Sequence, residues 1–118
     1  MNEVMSQGLQ RYLDRLPTVA KEHYARISAF MVNQFEGEAL YNDGSPVFVS
    51  GGVIVRVGLF ADHANFYVRG SSLVTSFFAA TQLTPKGMVQ WFYTDPFPEE
   101  PITRWITAEL AALPACTP

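Results

Sequence analysis

One cysteine, Cys116, is all this chain carries. A lone cysteine excludes an intramolecular disulfide, so the expected setting is a reducing compartment, the cytoplasm. Positive charge is also scarce. Eight lysines and arginines stand against eleven acids, for a net charge of −3. The basic residues are scattered, which excludes the continuous basic stripe of a nucleic-acid-binding surface. Long apolar runs are missing, and none nears the ~20 residues needed to span a bilayer. No membrane association is therefore expected. Met1-Asn2-Glu3-Val4 has neither the basic region nor the apolar run of a signal peptide. No internal repeat or low-complexity segment is visible. No Ser-His-acid order, P-loop, CxxC or HExxH motif occurs, so there is no warrant for an enzyme. Cys116 has no neighbouring base to activate its thiol.

What is present suits one folded domain. Apolar residues make up 48% of the 118 residues, and aromatics 14%. A chain of this length buries roughly two thirds of its unfolded surface and needs no metal or cross-link to fold. The segment 6–16 has Leu9, Tyr12, Leu13 and Leu16 at helical spacing, and Pro17 ends it. A second helix, with Thr18 as its expected cap, runs to about Gln34. Its stripe is Val19, His23, Ile27, Phe30 and Met31, widened by Ala20 and Tyr24.

From Gly37 the pattern changes to short runs of β-branched and aromatic residues at 38–41, 46–50, 53–60, 65–69 and 88–93. Asn42-Asp43-Gly44-Ser45 and Ser50-Gly51-Gly52 are turn sequences, and Asp62-His63-Ala64-Asn65 reads as a polar corner. Such short links imply an antiparallel meander. Ser71 or Ser72 is the expected cap of an inserted helix reaching Gln82. A last helix follows Pro98, with Glu99 and Glu100 suiting its first turn and Ile102, Trp105, Ile106, Leu110 and Leu113 on its apolar face. The expected fold is α+β: a five-stranded antiparallel sheet, with N-terminal helices, one inserted helix and a C-terminal helix packed on one face. Its expected extent is 8–113, with a disordered tail at 114–118.

Alternation sorts the sheet into two faces. Val53, Val55, Val57 and Leu59 suit burial under helices. Ile54, Arg56, Gly58 and Phe60 share the other side, with Asn65, Tyr67 and Arg69 from the next strand. Arginine beside aromatics on an open face is a ligand platform by charge-assisted hydrogen bonds and stacking, or simply a solvated surface. Arg56, Tyr67 and Arg69 are candidates on it. His63 reads either as a ligand-binding or proton-handling residue or as a turn histidine. Lys86, after Pro85 and before Gly87, is either a counter-charge for an anion or part of a plain turn. Trp91, within Trp91-Phe92-Tyr93, either stacks on a ligand or joins the core. His23 and His63 pair as metal ligands only if the fold joins them. No metal site is assigned.

Five segments in order also resemble a known family. They are Tyr12-Leu13-x-x-Leu16-Pro17, Gly44-x-Pro46, Asp62-His63-x-x-Phe66-Tyr67, Pro85-Lys86-Gly87-x-x-Gln90 and Asp95-Pro96-x-Pro98. This chain is similar over residues 8–113 to the YdhG-like proteins, domains of unknown function placed near the YjbR and frataxin (CyaY) proteins. The resemblance implies the same α+β sheet and, for some members, an intracellular iron chaperone, with iron as its only implied cofactor. The chain departs from the pattern at Tyr41-Asn42-Asp43-Gly44-Ser45-Pro46. Up to Glu38 five acids face four bases, which is no acidic ridge. The resulting expectation is a small non-enzymatic binding protein. Its ligand is a small anionic or aromatic molecule or a protein partner, with a frataxin-like iron chaperone and a homodimer through the sheet face as alternatives.

Overall fold

Five strands, joined in chain order, form an open antiparallel sheet with helices against one face only. The computed structural model describes residues 3–42 and 44–113, with side chains from Gln7 onward. The tail expected at 114–118, with Cys116, lies outside the described residues. The helices are α1 (Glu3–Asp14), α2 (Thr18–Phe35) and α3 (Glu99–Ala112). The strands are β1 (Glu38–Asn42), β2 (Ser45–Ser50), β3 (Val53–Leu59), β4 (His63–Tyr67) and β5 (Val89–Phe92), in sheet order β1-β2-β3-β4-β5. The expected α+β fold is the observed one. Among the described residues no helix is long and apolar enough to cross a membrane.

The meander follows from its turns. Gly51 and Gly52 have φ of 55° and 93°, left-handed values that cost other residues strain. They let β2 fold straight back onto β3, with Ser50 opposite Val53. The next link is a residue or two tighter than the polarity of its sequence indicates. The Phe60 N–H donates to the His63 carbonyl at 2.9 Å, so the corner is Phe60-Ala61-Asp62 and His63 already opens β4.

The covered face holds the core. Val53, Val55, Val57 and Leu59 alternate inward from β3, with Phe48, Ala64, Phe66, Val89 and Trp91 beside them. Helix α2 lays Ala20, Tyr24, Ile27 and Met31 on this layer, and α3 adds Ile102, Trp105 and Ile106. The α2 stripe is rotated from the expected one. Val19 is 43% exposed and His23 only partly buried, while Ala20 is fully buried. Apolar residues surround so much of this helix that spacing alone does not choose the central row. Leu113 likewise ends exposed.

The inserted helix resolves into two 3-10 turns, Val74–Ser76 and Ala80–Gln82. Leu73, not a serine, stands at the N-cap of the first, and Ser71 Oγ accepts the Val74 N–H at 3.2 Å from ahead of it. Its hydroxyl also donates to the Glu109 carboxylate, and the Trp105 Nε1–H is shared between Glu109 Oε2 at 2.9 Å and Ser71 Oγ at 3.2 Å. This junction fastens the insertion to α3 beneath the sheet.

Candidate functional site

Among the described residues no helix covers the other face, so its composition decides what it can do. Cross-strand register arranges it in rows. Phe92 stands opposite His63; Gly58 and Gln90 flank Asn65; Val47, Arg56 and Tyr67 form the next row. Rows two residues apart along a strand lie about 7 Å apart. The face thus runs from an aromatic end, across a row whose middle has no side chain, to a row bearing arginine and tyrosine.

The missing side chain makes a hollow. Gly58 is its floor, Phe60, Tyr67 and Met88 are its apolar walls, and Ser45, Arg56 and Asn65 complete a cavity of about 140 Å³. Beside the hollow, Asn65 Oδ1 is buried without a hydrogen-bond partner among the described residues. An unpaired buried acceptor costs about 1–3 kcal/mol. Arg56 and Tyr67 also border a second depression of about 270 Å³, with Asn42, Ile54 and Arg69. The two hollows are neighbours, and Arg56 and Tyr67 line both.

Arg56 is partly committed to the fold. Its Nη1 donates to the Asn42 carbonyl at 2.6 Å and to Ser45 Oγ at 2.7 Å, tying β3 across β2 to the end of β1. A guanidinium has five N–H donors, so donors remain for an anion. Arg69 lies just past the end of β4, exposed at the rim of the second depression. Arg56, Tyr67 and Arg69 are therefore brought together as alternation implied.

His63 is on the same face but one row beyond the hollow. Its ring stacks on Phe60, with centroids 4.5 Å apart and planes at 12°, and tilts against Phe92 at 5.4 Å. Nδ1 lies 2.7 Å from Asp62 Oδ1, a contact that fixes the ring. His63 supports Phe60, the wall, rather than lining the cavity.

Two candidates fall elsewhere. Trp91 is on the covered face, opposite Ala64 and only 3% exposed, with Nε1 donating to the Asp95 carbonyl at 3.0 Å. Register is the reason: Phe92 pairs with His63 on the open face, so its neighbour points inward. Lys86 is exposed in the turn closed by the Gly87 N–H to Thr84 carbonyl bond at 2.9 Å, and lines neither hollow. His23 belongs to the covered side, stacked on Tyr93 at 4.2 Å and edge-on to Trp91 at 5.2 Å. The two histidines thus lie on opposite sides of the sheet. Tyr93 donates to the Phe60 carbonyl at 2.8 Å, and burial raises its pKa above the usual tyrosine value.

Gly58, Phe60, Asn65 and Met88 are the site residues that the list of charged and aromatic candidates leaves out. Gly58, Phe60 and Asn65 already stood on the mixed face by alternation. Among the described residues no three His, Cys, Asp or Glu side chains gather as a metal site would need. Comparisons with protein-family models, curated proteins and solved structures return no match.

Proposed function

We propose that this protein binds a small molecule with aromatic and anionic character on its open sheet face. One observation carries the reading: the apolar hollow over Gly58 adjoins the Arg56–Arg69 end of the face. Specificity in a binding site comes from a few polar groups beside an apolar pocket. No step of covalent chemistry is assigned, and the cytoplasmic setting expected from the lone cysteine belongs to this proposal. So does membership of the YdhG-like family, which rests on the five sequence segments alone.

A homodimer through the same face is the second reading. It is favoured by Ile54, Phe60 and Phe92, which are 51%, 47% and 40% exposed and share that face. A frataxin-like iron chaperone rests on the resemblance alone, and among the described residues no carboxylate cluster supports it.

A fragment screen by amide chemical-shift mapping tests the first reading. Binders should shift the amides of Gly58, Phe60, Asn65, Tyr67 and Met88. Concentration-dependent shifts spread over all of the open face with no fragment added would favour the dimer. Fragments that map only to the helical side would overturn the proposal.

A further inference from the structure

The arginine end of the face narrows the ligand, given the open-face site proposed above. Arg56 and Arg69 both line the second depression, with Asn42, Ile54 and Tyr67. Among the described residues no acid lines it, and neither arginine forms an ion pair. Glu109 borders Arg69 from another depression, but its carboxylate is taken by the Ser71 hydroxyl and the Trp105 Nε1–H. The chain as a whole has a net charge of −3. Two guanidiniums around one depression are thus a local excess of positive charge in an acidic protein.

Arg56 is held ready by the fold. Its Nη1 has two N–H groups, and both are used, by the Asn42 carbonyl at 2.6 Å and Ser45 Oγ at 2.7 Å. The Nε–H and the adjacent Nη2–H remain, a parallel pair suited to two oxygens of one oxoanion. Arg69 is exposed at the rim and adds a second guanidinium. A single carboxylate offers two oxygens and one charge, which the Arg56 pair alone fills. A phosphate monoester offers three terminal oxygens and about −1.5 to −2 of charge near neutral pH. It meets the Arg56 pair and keeps an oxygen and a charge for Arg69. Arg56 and Tyr67 also line the apolar hollow over Gly58, so the organic group of such an ester has its place beside the phosphate.

We infer that the ligand class is a phosphate monoester of a small molecule with an apolar, aromatic part. The phosphate is held by Arg56 and Arg69 in the second depression, and the organic group enters the Gly58 hollow.

Calorimetric titration with three probes tests this. Phenyl phosphate has both parts, phenyl sulfate keeps the ring and the tetrahedral anion with one charge, and inorganic phosphate lacks the ring. At about pH 7.5 phenyl phosphate should bind saturably, and each of the others about tenfold or more weakly. At about pH 5, below the second phosphate pKa of about 6, phenyl phosphate carries one charge and its advantage over phenyl sulfate should disappear. Protonation of the protein itself acts on both esters alike. Arg69→Ala should erase the same advantage near neutral pH, and Arg69→Lys should restore part of it. Equal binding of the two esters near neutral pH overturns the inference. So does an advantage that survives Arg69→Ala, or inorganic phosphate binding as tightly as phenyl phosphate. If none of the three binds while other fragments shift the Gly58 and Tyr67 amides, the phosphate class fails and the site stands. If no compound shifts those amides, both fail.

Discussion

Gly58 faces Asn65 directly across the β3–β4 ladder, so a position with no side chain stands beside a carboxamide whose oxygen is buried and has no partner among the described residues. Glycine inside a strand usually weakens it. Its backbone here is not in the left-handed region, and a Cβ built on it would stand 3.4 Å from Phe60 Cε2, an ordinary contact. Neither backbone conformation nor crowding calls for glycine. The space it leaves is what the site uses.

Gly58→Ala should therefore fold and be more stable by about 0.5–1 kcal/mol, the usual difference between alanine and glycine within a strand. It should bind any open-face ligand more weakly, because its methyl enters the floor of the hollow. Thermal denaturation and a binding isotherm on the same sample check both parts. A destabilised variant would show that close packing, not vacancy, explains the glycine.

The two arginines should separate in their effects on stability. Arg56→Ala removes two hydrogen bonds, to Asn42 and Ser45, and should cost about 1–2 kcal/mol. Arg69→Ala should stay within about 0.5 kcal/mol, as exposed positions do. Urea denaturation measures both. Equal costs would remove the distinction between a residue shared with the fold and one given to the ligand.

Tyrosine ionisation should destabilise the fold in alkali. Burial raises the pKa of Tyr24 and of Tyr93 above the usual value, for Tyr24 partly offset by a hydrogen bond with Ser28. With the folded-state pKa above the unfolded one, the native state holds the proton more tightly. The stabilisation is then fully present below the unfolded value, about 10, and is lost as pH rises through the folded one. Tyr24→Phe should flatten the fall in stability above about pH 10. Ultraviolet titration of phenolate formation follows the same event directly, and a native chain whose stability is level through that range would contradict it.

The architecture was legible because strand alternation has a period of two and the turns carry glycine. The same alternation put Arg56, Gly58, Phe60, Asn65 and Tyr67 on one face, and the register agrees. Three features were not legible. Trp91, Phe92 and Tyr93 are equally hydrophobic neighbours, and only pairing of Phe92 with His63 decides which one turns inward. Asp62-His63-Ala64-Asn65 has the polarity of a turn, yet His63 already opens β4 with its side chain on the open side. The hollow itself depends on Phe60, Tyr67 and Met88 converging from separate strands around an empty position, which no local pattern encodes.

The insertion depends on a side chain that reaches it from α3. Trp105 is 1% exposed, packs edge-on against Phe78 at 5.7 Å and donates to both Glu109 and Ser71. Trp105→Ala should cost about 3–5 kcal/mol through the cavity and the lost donor. Hydrogen exchange should show the 71–82 segment opening first. Denaturant melts within about 1 kcal/mol of the native chain would place the core elsewhere.

A crystal structure of the protein with the tightest-binding fragment tests the central claim most directly. The account requires ligand density over Gly58, between Phe60, Tyr67 and Met88, with an anionic group of the ligand beside Arg56 or Arg69. A fragment seated on the helical side, or a second copy of the chain filling the hollow in its place, would contradict it.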